Sequence, residues 1–256
     1  GSEMCIRDST TDVGDHSGNG HVGVAANMAI GTWNKTKLIQ ETPAYSVLFQ
    51  SSNDSEVTSS DTVFDFTGSF CIEAWLGFSG AQFPFTNNES AIVAKASGDS
   101  NLNRKYGIYV DTIGSKSFLS AKVYSGSSQY VLTSSKELTT TQSYYVALIC
   151  NKVGTNNIFY FVVNDEILGP ITINGSLNSI GSQFAVGKNG GASVKNHPDK
   201  FYISHLSTYK SDTGNVLITP KVAVARYVSG ILASNSSTAQ YFDSDELCNG
   251  KNEISF

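Results

Sequence analysis

Phe70-Cys71-Ile72-Glu73-Ala74-Trp75-Leu76-Gly77-Phe78 is the stretch on which the fold turns. Successive side chains of a strand point to opposite faces. Phe70, Ile72, Ala74 and Leu76 therefore share one face, and Cys71, Glu73 and Trp75 share the other. Both faces are largely apolar, which predicts a central strand covered on both sides. In that setting Glu73 needs a partner, because burying a lone carboxylate is costly. Tyr144–Asn151 repeats the pattern, with Tyr144, Val146, Leu148 and Cys150 opposing Tyr145, Ala147 and Ile149.

Ten similar runs flank these two: His21–Met28, Ala44–Gln50, Ala91–Lys95, Tyr106–Asp111, Phe118–Tyr124, Tyr130–Thr133, Asn157–Val163, Glu166–Ile171, Phe184–Gly187 and Phe201–Tyr209. Between them stand turn signals such as Ser125-Gly126-Ser127-Ser128, Gly154-Thr155-Asn156-Asn157, Asn164-Asp165 and Asn174-Gly175. Short strands at regular spacing predict an all-β fold, a two-sheet antiparallel β-sandwich of the jelly-roll kind. Thr219–Leu232 alone approaches a helical pattern, and its Val and Ile content predicts extended structure instead.

Composition agrees with strands and turns. The 256 residues include 36 Ser, 20 Thr, 20 Asn and 23 Gly but only 5 Pro. With 40% hydrophobic residues, 12 Tyr and 14 Phe, the chain can build a core and is not a disordered sequence. The net charge of −5 and a pI near 5.3 argue against a nucleic-acid partner, whose protein surfaces are usually basic. No apolar run reaches the roughly 18 residues of a membrane-spanning helix, so no membrane insertion is expected. Four cysteines show no C-x-x-C spacing, which argues against a zinc ribbon or redox pair. A Cys71–Cys150 or a Cys150–Cys248 disulfide is open on spacing alone. Gly1-Ser2 resembles a tag-cleavage scar, and Glu3-Met4-Cys5-Ile6-Arg7-Asp8-Ser9 resembles a translated sequencing-adapter read from metagenomic data. The expected organisation is a leader over 1–11, a jelly roll over 12–210, and an extension over 211–256 that packs on the domain or contacts a partner.

Three segments carry a family resemblance. Asp15-His16-Ser17-Gly18-Asn19-Gly20 looks like a D-x-S-G-N-G opening turn. Tyr45-Ser46-Val47-Leu48-Phe49 with Asp65-Phe66-Thr67-Gly68-Ser69-Phe70-Cys71-Ile72-Glu73-Ala74-Trp75-Leu76 is similar to an L-x-F-D-G … F-T-I-E-A-W-V pair. Phe184-Ala185-Val186-Gly187 and Phe201-Tyr202-Ile203-Ser204-His205-Leu206 are like L-x-I-G … F-x-G-x-I-D-x-V-R-I. In order and spacing they resemble the laminin-G-like, concanavalin A-like jelly roll family, in versions found in tail and fibre proteins of marine bacteriophages. Val224-Ala225-Arg226-Tyr227 is similar to a V-A-R-Y that follows the last strand there. The chain departs from the pattern at Gln50-Ser51 and Ser204-His205, which weakens an inherited metal site. The resemblance implies calcium held by Asp15 and nearby carbonyls with Asp199, and an extracellular or virion-associated setting.

The same architecture carries glycosidases, lyases, lectins and adhesion modules, so residues must decide. A glucanase strand would show E-x-D-x-x-E, whose first two carboxylates share one strand face, and the sequence lacks it. Asp165-Glu166 are adjacent and follow a turn-forming Asn. His205, with Tyr202 and Tyr209 nearby, is the one lyase-like grouping; a structural imidazole is the competing reading. No G-x-S-x-G elbow, phosphate loop or dinucleotide fingerprint occurs. Asp99-Ser100-Asn101-Leu102-Asn103 opens like a calcium loop, but Arg104 and Val110 stand where Gly and Glu are required. Sugars are bound by an aromatic face flanked by amides or charges. The candidates are Trp33, Asn101, Asn103, Arg104, Tyr106 and Asn189, with core packing as the competing reading for the aromatic residues. The expected function is a non-catalytic carbohydrate-recognition or adhesion module whose partner is a cell-surface glycan. The alternatives are a virion or assembly subunit, which binds other structural subunits or forms a homo-oligomer, and a divergent carbohydrate-active enzyme.

Overall fold

In a computed structural model of the chain, Ser69–Gly77 form one strand buried along its whole length. The structure describes residues 2–3, 12–13, 23–26, 33–34, 46–50, 55–60, 62–78, 81–85, 89–181, 183–188, 198, 200–211 and 218–235. In chain order the strands are β1 (Ser2–Glu3), β2 (Asp12–Val13), β3 (Gly23–Ala26), β4 (Trp33–Asn34), β5 (Ser46–Gln50), β6 (Glu56–Ser59) and β7 (Ser69–Gly77). They continue with β8 (Glu89–Ala96), β9 (Arg104–Ile113), β10 (Lys116–Ser125), β11 (Ser128–Glu137) and β12 (Ser143–Val153). The last are β13 (Asn156–Val163), β14 (Glu166–Asn174), β15 (Phe184–Val186) and β16 (Lys200–Ser211), followed by one helix, α1 (Pro220–Asn235).

Two antiparallel sheets form the sandwich. The first runs β14-β13-β12-β7-β16-β5-β4, with β1 also beside β16, and the second runs β11-β10-β9-β8-β15-β6-β3-β2. Each of the twelve predicted runs carries a strand. The strands absent from the sequence reading, β1, β2, β4 and β6, are two to four residues long.

Between the sheets lies an aromatic core. Phe64 stacks on Phe184 at 4.3 Å, Phe49 on Phe201 at 4.9 Å and Phe66 on Phe70 at 4.7 Å. Phe70, Ile72, Ala74 and Leu76 face this core, as their alternation requires. The opposite face of β7 is also covered: Cys71 and Trp75 lie in a second cluster with Tyr145, Ile149, Tyr209, Ala223 and Tyr227. Cys71 and Cys150 are both buried. A disulfide between them is ruled out by register: Cys71 pairs with Ile149 and Cys150 with Phe70, so the two thiols belong to opposite faces. Burial pushes the Cys150 thiol up to about 12, making it an inert core residue.

The expectation of extended structure over Thr219–Leu232 is corrected by α1. Thr219 is its N-cap, with Oγ1 accepting from the Val222 amide at 3.2 Å, and Pro220 takes the first helical position. Ala223, Val224 and Tyr227 pack on the first sheet. That tertiary contact overrides the modest helix cost of β-branched residues, which is only tenths of a kcal/mol each. No helix among the described residues is long and apolar enough to cross a membrane.

Candidate functional site

The site builds upward from the outer face of β8, β9 and β10. Tyr106, Ile108 and Val110 point inward from β9, so Gly107, Tyr109 and Asp111 point outward. Likewise Leu119, Ala121 and Val123 point inward from β10, leaving Ser120, Lys122 and Tyr124 outward. Glu89 of β8 lies directly across from Asp111. Two carboxylates facing across a ladder repel. Lys122 resolves this by donating from Nζ to Glu89 Oε2 at 2.5 Å and to Asp111 Oδ1 at 2.7 Å. Arg104 donates from Nη1 to Glu89 Oε1 at 2.6 Å and to the Tyr124 hydroxyl at 3.1 Å. Gln129 completes the chain by donating to the same hydroxyl at 3.1 Å. The Lys122 ammonium also lies 5.1 Å from the centre of the Tyr109 ring. Gly107 makes room for that ring, because a Cβ there would stand 2.6 Å from Tyr109 Cε2.

At the end of this face where β8 turns into β9, three connections meet. They are the β8–β9 turn with its 3-10 segment Asn101–Asn103, the β10–β11 turn at Gly126, and the segment after β14. Gly126 takes φ 58°, the left-handed region that glycine tolerates without penalty. Asn178 ties all three together. Its Nδ2 donates to the carbonyls of Asn101 (2.9 Å), Arg104 (2.8 Å) and Gly126 (3.1 Å), and its Oδ1 accepts from the Gly126 amide at 2.6 Å. Asn101 donates to the Ser127 carbonyl at 3.0 Å, and Ser125 to the Ser176 carbonyl at 2.9 Å. The rim thus fixed presents Asn103, Ser127, Ser128 and Gln129, with Leu102 standing 63% exposed among them.

The electrostatics of the floor point to held charge. Burial pushes the Glu89 carboxyl up, but Lys122 and Arg104 outweigh it and hold the group below the ordinary carboxylate range. Burial likewise favours the neutral form of Lys122, and Asp111 and Glu89 reverse this, raising its pKa. Hydrolysis of a glycosidic bond needs one of two nearby carboxylates kept protonated as an acid. Glu89, gripped by two cations, is set up as an anion that orders the sheet face.

The predicted site residues fall in different places. Asn101 and Asn103 lie on the rim. Arg104 is drawn inward, only 7% exposed, with its guanidinium spent on Glu89 and Tyr124. Tyr106 is a correction: its ring is fully buried against Phe66 and Phe70, and its hydroxyl donates to the Phe64 carbonyl at 2.7 Å. A ring so placed cannot face a sugar. Trp33 lies in β4, paired with Val47 of β5. Asn189, Asp15 and Asp199 lie outside the described residues, as does the side chain of His205. Tyr209 is committed elsewhere, donating to Glu73. Asp99 sits 3.7 Å from the Arg104 guanidinium, and the described residues contain no group of three or more His, Cys, Asp or Glu able to hold a metal. Asn178, Glu89, Asp111 and Lys122 were missed by the sequence reading. Period-two alternation would have put Lys122 beside Tyr124 on one face, but only register brings Glu89 opposite Asp111.

No family model matches the sequence, and no curated protein does. Solved structures do. The binding domain of botulinum neurotoxin DC, in complex with SialylT, is 12% identical with a TM-score of 0.57, over 90% of this chain and 50% of that one. Trypanosoma rangeli sialidase, in a covalent-intermediate complex with 2,3-difluorosialic acid, is 11% identical with a TM-score of 0.53, over 89% of this chain and 32% of that one. This chain therefore spans about half the length of the first and a third of the second. At such identities the likeness establishes the fold alone, a jelly-roll β-sandwich.

Proposed function

We propose that the chain is a non-catalytic carbohydrate-recognition module that binds a cell-surface glycan through the rim around Leu102. The observation that carries this reading is the rim itself. It is rich in amides and hydroxyls, and fixed by Asn178 before any ligand arrives. Preorganised polar groups lose little entropy on binding, and an exposed apolar side chain among them suits the C–H face of a sugar ring. At the base of the rim Arg104 is paired with Glu89, and the half-exposed Asp99 carboxylate, 3.7 Å from the same guanidinium, offers the ligand a hydrogen-bond acceptor. The botulinum neurotoxin binding domain in complex with SialylT supports the reading as an example of glycan recognition on this fold. The bacteriophage tail or fibre resemblance adds an adhesion role at a virion or cell surface. Calcium at Asp15 and Asp199 is part of the same proposal, and serves to tie the opening turn to the sheet edge.

A glycan array run with calcium and then with a chelator tests this. Retention of a defined glycan set, lost on Leu102→Asp, is the expected result. Dependence on calcium would support the Asp15–Asp199 site, and independence would remove it. Retention of no glycan in either condition overturns recognition and leaves the assembly-subunit role.

A second reading, a divergent glycoside hydrolase, is favoured by one observation: Glu89 and Asp111 touch the same Lys122 ammonium and are close enough for paired-carboxylate chemistry. Release of reducing sugar from polysaccharides, abolished in Glu89→Gln, would establish it against the electrostatic argument above.

A further inference from the structure

The first sheet carries a second polar constellation, on its outer face and away from the rim. Glu73, at the middle of β7, is only 7% exposed and lies in an otherwise apolar cluster. Tyr145 of β12 donates its hydroxyl to Glu73 Oε2 at 2.5 Å, and Tyr209 of β16 donates to Oε1 at 2.9 Å. Trp75 walls the pocket, edge-on to Tyr145 at 5.5 Å. Into this receptor α1 inserts Arg226. Its Nη1 donates to Glu73 Oε1 and, at 3.4 Å, to the Tyr209 hydroxyl, while the guanidinium carbon lies 5.4 Å from the Tyr209 ring centre.

We propose that this face is a guanidinium-binding site, and that α1 is a latch which occupies it in cis through Arg226. The chemistry is specific to the planar cation. A carboxylate, two phenol hydroxyls and aromatic rings suit the flat, forked guanidinium better than a compact, strongly hydrated ammonium. The latch follows from the helix. Val222, Val224 and Val228 give it weak intrinsic helicity, and its first turn holds no acidic residue. Docking therefore holds α1 in helical form, and the one ion pair recorded for its described residues is the one to Glu73. Breaking a buried pair by removing one partner leaves an uncompensated charge.

The test is Arg226→Ala in the full chain, followed by hydrogen exchange and by titration with methylguanidinium against methylammonium. Amides of 220–235 should exchange roughly a hundredfold faster while β7, β12 and β13 stay protected. Methylguanidinium should then bind saturably, shift Trp75 fluorescence and fail to bind Glu73→Gln/Arg226→Ala; methylammonium should bind far more weakly. Unchanged exchange over 220–235 overturns the latch. Equal response to both cations, or a response that survives Glu73→Gln, overturns the guanidinium site. If Arg226→Ala does not fold alone, recovery on refolding with methylguanidinium but not methylammonium supports the site, and failure with both overturns it.

Discussion

Asn178 makes more structure than its sequence neighbourhood announces. One carboxamide holds three carbonyls and one amide from two connections, and so ties them to its own segment after β14. Asn178→Ala removes all four bonds and leaves partly buried carbonyls to water. Each such bond is worth about 1 kcal/mol net, and rehydration recovers part of the loss, so the expected destabilisation is about 2–3 kcal/mol in a urea melt. Glycan affinity should fall with it, because loops no longer fixed must be ordered on binding. An affinity unchanged in a destabilised variant would separate the rim from recognition. Little of this was legible beforehand. An Asn after a Gly turn reads as ordinary loop chemistry, and its partners lie 52 to 77 residues away along the chain. The loop Asn101–Arg104 stood out through its amides, but the inward turn of Arg104 depends on Glu89 across the sheet, and single-sequence periodicity does not encode register.

Elements were more legible than sites, for a physical reason. A strand with one or two buried faces must write its burial into alternate residues, and β7, β12 and β13 do so plainly. Glu73 broke the alternation and was thereby marked as needing partners, which Tyr145, Tyr209 and Arg226 provide. The helix α1 was misread because its residues prefer strands and its stability comes from packing. The signal present was Thr219-Pro220, a capping residue followed by proline at the first helical position. Thr219→Ala should therefore cost about 1 kcal/mol, the usual value of a lost N-cap. The loss should appear as increased exchange over 220–235, with the sandwich strands unaffected. An equal rise in β7 would mean that α1 and the sheet unfold as one unit.

At the scale of the molecule, open sheets leave edges that must be blunted or tied. β14 ends the first sheet and β11 the second, and Pro170 interrupts the hydrogen-bonding capacity of β14. Glu166 joins the two edges. Its carboxylate accepts from Ser134 Oγ at 2.5 Å and from the amide and hydroxyl of Ser135 at 3.0 and 2.7 Å. Burial works against its charge, and the bonds to Ser134 and Ser135 prevail, so its pKa lies below the ordinary 4.5, as does that of Glu89. A carboxyl with a depressed folded value stabilises fully above its unfolded pKa and loses that contribution as pH falls through the folded value. Stability should thus be level from neutrality down to about pH 4.5 and decline below it, as both the second-sheet face and the edge clasp lose charge. Glu166→Gln should cost about 1 kcal/mol at pH 7, since its charged hydrogen bonds are partly screened by water. The same substitution should make the decline below pH 4.5 shallower, because one of the depressed carboxyls, which also include Glu89 and Asp165, no longer titrates. Urea melts of the wild type and of Glu166→Gln across this range measure both effects. Parallel curves would show that the clasp is held by shape and not by the carboxylate charge.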